Sequence, residues 1–168
     1  MSLRELVDAF TNGSDEIEHH LDVETGNIVM LTEDDSGAIT EFEEEAEFEE
    51  GEDSSAKFEL WLEDHDHPDW QEDSIRDAFA VQYGPEGRFI RVPKEESHDG
   101  YRDMEDFAET VQDKQLRALI DVALNGKGAF RRFKDVLFDY PEERERWFKF
   151  SEEKSKERVL EWLVDEEI

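Results

Sequence analysis

The stretch GKGAFRRFKDVLFDYPEERERWFKF, residues 126–150, carries the clearest helical pattern in the chain. Its apolar residues recur at offsets of 0, 3, 7 and 10, and they are Phe130, Phe133, Leu137 and Tyr140. Residues at these offsets share one face of a helix. Pro141 suits the first position of a further helix, since proline lacks the N–H that this position leaves unpaired. The stretch therefore predicts two consecutive helices, and the second carries its apolar residues near its end, at Val159, Leu160, Trp162 and Leu163.

The two segments before this stretch show the same spacing, and Asp113 between them is a suitable helix N-cap. Their apolar residues are Tyr101, Met104, Phe107, Ala108 and Val111, followed by Leu116, Leu119, Ile120, Ala123 and Leu124. Four apolar stripes in succession predict a packed C-terminal half of about four helices.

The N-terminal half mixes helix and strand signals. Leu3, Leu6, Val7 and Phe10 predict a first helix, and residues 20–32 predict a β-hairpin that turns at Gly26, where glycine permits a positive φ. Residues 58–62 and 88–92 are rich in apolar and aromatic residues and predict one or two further strands. We therefore expect an α+β fold with a small antiparallel sheet packed with the helical half.

Residues 33–56 form an acidic segment with 12 Asp and Glu and no Lys or Arg. Like charges without local partners oppose ordering, so a flexible, solvated loop is the favoured interpretation of this segment, and a segment that attracts basic partners is the alternative. Phe42, Ala46 and Phe48 alternate with the acids, which is the pattern of a strand with one apolar face. A salt-adapted protein would spread its acids over the whole surface, whereas here 20 acids and two bases fall within residues 33–77.

Length and composition narrow the class of protein. A chain of 168 residues is the usual size of one domain, so residues 1–168 are expected to form a single domain. The chain has no cysteine, which excludes disulfides, thiolate catalysis and cysteine metal sites. We expect no membrane span, no export signal and no cofactor.

Three stretches carry a resemblance to a known family: LVDAFTNGSDEIEHHLDVETGNIVML at 6–31, RFIRVPKEESHDGYRDMEDFAETV at 88–111, and the stretch at 126–150. Together they resemble uncharacterised protein family 0158, and EWLVDE at 161–166 is similar to that family's usual ending. The acidic insert between about 33 and 70 departs from the family. Because the family has no agreed activity, substrate or cofactor, the resemblance implies a bacterial-type cytoplasmic protein and assigns no catalytic residue.

The segment 127–134 is basic in an otherwise acidic chain, and it contains Lys127, Arg131, Arg132 and Lys134. The two arginines fall in the first turn of a predicted helix, where positive charge opposes the helix dipole at a cost of about 0.3–1 kcal/mol each. We expect a compensating partner. The favoured partner is an acid on a neighbouring helix, namely Glu105, Asp106 or Glu109, and the alternative is a bound phosphate or a nucleic-acid backbone.

The run Asp64-His65-Asp66-His67-Pro68-Asp69 gathers imidazoles and carboxylates. In an extended chain His65 and His67 point the same way, so they are candidates for a zinc or nickel site that needs further ligands. An exposed acidic turn is the simpler interpretation.

These patterns favour a non-catalytic soluble interaction or regulatory protein, whose acidic segment attracts a basic protein partner. No serine lies in a nucleophile motif, so enzymatic activity is not favoured. The first alternative is a nucleic-acid or phosphate-binding protein that uses residues 127–134. The second is a metal-dependent hydrolase at His65 and His67.

Overall fold

In the computed structural model, which describes residues 2–46 and 54–168, the elements fall into two units, Met1–Pro93 and Lys94–Ile168. The single domain expected over residues 1–168 stays a prediction, because units of this size occur both as parts of one domain and as domains of their own.

The first unit begins with helix α1, Leu3–Asn12. The hydroxyl oxygen of Ser2 accepts a hydrogen bond from the Glu5 N–H at 3.4 Å and caps this helix. The residues of α1 that are buried are Leu6, Val7, Ala9 and Phe10. The predicted first helix is therefore confirmed.

A three-stranded antiparallel sheet follows, with β1 at Ile17–Asp22, β2 at Ile28–Thr32 and β3 at Phe89–Arg91. Strand β1 lies in the centre, and Leu21 faces Ile28 on one side and Ile90 on the other. Gly26 turns the hairpin with a φ of +73°. The predicted hairpin and the predicted strand at 88–92 are confirmed.

Helix α2, Glu33–Glu45, replaces the loop or strand expected in the acidic segment. Thr32 and Asp35 form a capping box, in which each side chain bonds the other residue's backbone N–H. Ala38, Ile39 and Phe42 are buried together, which is helical rather than alternating spacing. The strand prediction is wrong at Phe42 because burial of this helical face and the cap outweigh charge repulsion. Phe48 lies outside the described residues.

Helix α3, Ser54–Asp64, contradicts the strand predicted at residues 58–62. Phe58, Trp61 and Leu62 are buried at offsets of 0, 3 and 4, whereas Leu60 is exposed. The alternation suggested by Phe58, Leu60 and Leu62 was misleading, because the face that is buried has the helical period. Helix α4, Asp69–Tyr83, then leads to β3.

The second unit consists of four helices, as predicted: α5 at Ser97–Thr110, α6 at Lys114–Leu124, α7 at Ala129–Phe138 and α8 at Pro141–Asp165. Their core contains Met104, Phe107, Leu116, Ile120, Phe133 and Leu137. Asp113 caps α6 through bonds to the N–H groups of Gln115 and Leu116. The α+β class is confirmed. In the described part of the chain, none of the helices combines the length and apolarity that crossing a membrane would require.

Candidate functional site

Helices α2, α3 and α4 of the first unit present many exposed carboxylates. We call this set the acidic surface, and it comprises Glu33, Asp34, Glu41, Glu43, Glu44, Glu45, Glu59, Glu63, Asp64, Asp69, Asp73 and Asp77. Its residues lie within α2, α3 and α4, so the helix backbones fix the positions from which the carboxylates project. The acidic character expected of residues 33–56 therefore continues along ordered helices as far as Asp77.

Few cations neutralise this surface, since Lys57 and Arg76 are the only Lys or Arg between residues 33 and 77. The Arg76 guanidinium lies 3.4 Å from Glu59 on α3 and 3.3 Å from Glu72 on α4. Partial burial, followed by the negative charges of Asp73 and Asp35, raises the pKa of Asp77. The carboxylates of this surface therefore repel one another, and cations or basic groups that bind there would reduce this repulsion.

An aromatic core holds these helices together against the repulsion. The rings of Phe58 and Phe79 stack with centroids 4.1 Å apart, and Phe42 meets Phe58 edge-on at 5.3 Å. Tyr83 donates its hydroxyl to Glu43 at 2.6 Å, and burial together with this bond raises its pKa to about 12. The carboxylates are therefore carried by a scaffold with large buried aromatic contacts.

Two large apolar side chains lie exposed on the helices that carry the acidic surface. Trp70 on α4 is 73% exposed, and Leu60 on α3 is 68% exposed. Tryptophan is one of the residue types enriched among the side chains that contribute most to binding, and these cluster near the centres of interfaces. Sequence reasoning missed Trp70, although its offset of 5 from the buried Ile75 already placed it away from the apolar stripe of α4.

His65 lies just after α3 and contacts α2. Its Nδ1 lies 2.8 Å from the carbonyl oxygen of Trp61, and its Nε2 lies 3.3 Å from Glu45 Oε2. Three atoms that could bind a metal lie within 4.8 Å of one another, one each from Glu41, Glu45 and His65. The structure thus gives His65 two carboxylate neighbours that are distant in sequence.

His67 is the other residue of the predicted histidine pair. Its ring is nearly parallel to that of His65, with the centroids 6.2 Å apart. Its Nε2 is buried and has no hydrogen-bond partner among the described residues. The two imidazoles thus lie near one another, and the metal site predicted for them stays a prediction.

The predicted basic segment lies at the start of α7 in the second unit. Gly126 and Gly128 adopt φ values of +84° and +79°, and Gly128 occupies the N-cap position without a side-chain cap. Lys127 and Lys134 are exposed. The glycines allow the sharp turn that joins α6 to α7.

The two arginines of this segment differ in their surroundings. Arg132 donates to the carbonyl oxygen of Asn125 at 2.5 Å and thereby holds the loop after α6. The Arg131 side chain is 89% exposed, with its Nε 4.0 Å from Asp135 Oδ2. The expected pairing with Glu105, Asp106 or Glu109 is wrong, because Arg132 reaches back to a main-chain carbonyl and Arg131 points along its own helix. Asp106 instead lies 3.4 Å from Lys154.

An unpredicted buried ion pair lies elsewhere in the second unit. Arg158 of α8 donates to both carboxylate oxygens of Asp103 on α5, at 2.8 and 2.5 Å, and also reaches Glu95 at 3.2 Å. The Asp103 side chain is 3% exposed. This bidentate contact fixes α8 against α5, and we assign it a structural role.

Comparison with known proteins gives a family and no activity. Residues 57–168 match the model of the uncharacterised protein family UPF0158. The stretch 6–31 lies outside the matched range, whereas residues 57–70 of the expected insert lie inside it. A UPF0158 protein of Pseudomonas aeruginosa strain PAO1 is 34% identical over 65 residues. That alignment covers 39% of this chain and 42% of the relative. No solved structure matches the chain.

Proposed function

The chain belongs to the uncharacterised protein family UPF0158, and we propose from its geometry that it is a non-catalytic interaction protein. It binds a basic, amphipathic segment of a partner protein through the acidic surface. The observation that carries this proposal is the exposed Trp70 on an ordered helix among carboxylates. The proposal includes a cytoplasmic location.

Charge and apolar contact have separate parts in this binding. The carboxylates attract and orient a basic segment, which raises the association rate and lowers the affinity for acidic competitors. Trp70 gives an apolar anchor, which charge alone does not provide. Because α2, α3 and α4 are already helical, little backbone ordering is needed on their side of the interface. A partner segment that combines Lys or Arg with Leu or Phe fits both features.

Fluorescence anisotropy of a labelled Lys/Leu helical peptide, titrated with the protein at low and moderate salt, tests the proposal. We expect binding that weakens with salt but persists at moderate salt, since apolar contact is not screened. Trp70→Ala should weaken binding about tenfold, the effect of losing roughly 1.4 kcal/mol at an anchor residue. Phe148→Ala, which removes a 52% exposed ring from α8, is the matched control and should leave binding unchanged.

A charge-matched pair of variants separates a specific site from general attraction to an acidic chain. Glu44→Gln/Glu63→Gln removes two charges from the acidic surface, whereas Glu105→Gln/Glu109→Gln removes two exposed charges from α5. The first variant should weaken peptide binding more than the second. Equal losses in both, together with no effect of Trp70→Ala, would reject the proposed site.

Binding of phosphate or nucleic acid at the start of α7 is the second candidate function. The exposed Arg131 side chain and the uncapped N-terminus of α7 favour it. Labelled DNA and RNA take the place of the peptide in the same titration. Salt-sensitive binding that Lys127→Glu/Arg131→Glu abolishes, and Arg4→Glu does not, would support this candidate over the acidic surface. Arg132 is left intact because its contact with Asn125 is structural.

A further inference from the structure

Glu41, Glu45 and His65 combine two carboxylates and an imidazole from separate elements. Glu41 and Glu45 are four residues apart on α2, so their side chains share one side of that helix. His65 approaches from the end of α3, with Nε2 3.3 Å from Glu45 Oε2. The sequence brings these groups within reach of one another only because both α2 and α3 are helices.

The hydrogen bond between His65 Nδ1 and the Trp61 carbonyl leaves Nε2 as the ring nitrogen that could bind a metal. A carbonyl oxygen only accepts, so the 2.8 Å contact with Trp61 requires that Nδ1 carry the proton. In the neutral ring the lone pair then lies on Nε2, the nitrogen that faces Glu45. Histidines that bind metals commonly donate their other N–H to a carbonyl or carboxylate in this way.

A similar support holds the Glu45 carboxylate. Trp61 Nε1 donates to Glu45 Oε2 at 2.8 Å, so Trp61 orients Glu45 through its indole and His65 through its carbonyl. Such contacts fix the orientation of ligands before a metal arrives. Atoms bound to one zinc ion at about 2.1 Å lie about 3.4 Å apart. The ligand atoms of the three residues lie within 4.8 Å of one another, so small rotations of the exposed Glu41 and Glu45 side chains bring them to that separation.

A further, independent observation concerns His67. Its Nε2 is buried without a hydrogen-bond partner among the described residues, a state that costs free energy unless something binds there. Its ring lies 6.2 Å from that of His65. His67 lies outside the group of described ligand atoms that fall within 4.8 Å of one another, so its ring must move closer to supply a fourth ligand.

We propose that Glu41, Glu45 and His65 form a binding site for a dication of the zinc and nickel class, with His67 as the candidate fourth ligand. Imidazole favours these ions over Mg²⁺ and Ca²⁺, which prefer oxygen ligands alone. The bound ion links α2 to the end of α3. The site needs no basic partner, although Glu41 and Glu45 also belong to the acidic surface of the proposed function.

Calorimetric titration of the metal-free protein with Zn²⁺, in excess Mg²⁺ that occupies general acidic sites, tests this proposal. We expect one tight Zn²⁺ per chain, with an affinity that falls about tenfold or more in His65→Gln and in Glu41→Gln. Glu44→Gln is the matched control on the same helix. His98→Gln is the control histidine, since His98 lies between Glu96 and Asp99 at 2.9 and 3.2 Å. Both controls should keep the wild-type affinity.

Histidine ring NMR of the wild-type protein gives a readout that does not depend on the stability of variants. Zn²⁺ should shift the Nε2 resonance of His65 at stoichiometric amounts and leave His98 unchanged. Binding that Mg²⁺ abolishes, equal affinity in His65→Gln and wild type, or an unshifted His65 resonance would each overturn the proposal.

Discussion

Asp22 shows how one buried charge stabilises the sheet. Arg88 donates to both of its carboxylate oxygens, at 3.2 and 2.8 Å, and Oδ1 also accepts from the Glu24 N–H at 3.0 Å. The bond from Arg88 outweighs burial and holds the pKa of Asp22 well below its usual range. The carboxylate therefore joins the hairpin to the residue before β3.

The Asp22 contact predicts a pH dependence of stability. Because the pKa of Asp22 is lower in the folded than in the unfolded state, its ionised carboxylate stabilises the protein above about pH 3.9, the pKa of an unfolded Asp. This stabilisation is lost as the pH falls below about 3.9 toward the pKa of the folded state. We expect Asp22→Asn to lower the free energy of unfolding by about 1–3 kcal/mol at pH 7, and the difference from wild type to shrink below about pH 4. Urea unfolding at several pH values measures both effects.

Asp8→Asn is the control for this experiment. Asp8 is exposed on α1, and among the described residues its carboxylate forms no hydrogen bond or ion pair. Its replacement should change stability little at any pH. A difference for Asp22→Asn that stayed constant down to low pH would show that the charge of Asp22 is not what stabilises the sheet.

At the level of elements, α2 depends on its N-cap. Thr32 Oγ1 donates to Asp35 Oδ2 at 2.7 Å, and the same carboxylate accepts the Thr32 N–H at 2.8 Å. Ser74 of α4 donates to the other oxygen of Asp35 at 2.5 Å. Asp35 is thus buried with its oxygens bonded, and it ties the start of α2 to α4.

Thr32→Val should therefore destabilise α2. The change keeps the shape of the side chain but removes the cap, which costs about 1 kcal/mol. Thr40→Val is the control, because Thr40 lies inside α2 and its hydroxyl bonds only to the Ser36 carbonyl at 3.1 Å among the described residues. Hydrogen exchange of the α2 amides should accelerate in Thr32→Val and not in Thr40→Val. Equal protection in both would mean that the aromatic core alone holds α2.

The elements that the sequence predicted are those with a long apolar period or a turn residue. Phe133 and Leu137 recur at helical spacing, and Gly26 marks the hairpin. Helix α3 was missed because Leu60 lies among Phe58, Trp61 and Leu62 and hides their helical period. Helix α2 was missed because its acids suggested a loop, although Thr32 and Asp35 already had the spacing of a capping box.

The candidate sites were predictable only where their residues are neighbours in sequence. His65 and His67 could be identified as a pair, but Glu41 and Glu45 join them through the fold of a segment that had been interpreted as a loop. The sequence predicts the same kind of partner for Arg131 and Arg132, but in the structure their contacts differ, since only Arg132 bonds to the Asn125 carbonyl. Long-range partners of this kind depend on tertiary packing, which one sequence does not specify.

For the whole molecule, the charge divides unevenly between the two units. Residues 1–93 carry 28 acids and five bases, and residues 94–168 carry 21 acids and 14 bases. Surface acidity that served only salt tolerance would be spread more evenly. The proposed binding role of the first unit rests on this imbalance together with the exposed Trp70.

The most direct test of this account is a map of the binding site by ¹H–¹⁵N NMR, with the Lys/Leu peptide titrated into labelled protein. The account predicts shift changes at the Trp70 indole N–H and at amides of α2, α3 and α4, with the amides of α5 to α8 unchanged. Changes that spread over both units, or an unmoved Trp70 indole at saturating peptide, would contradict it.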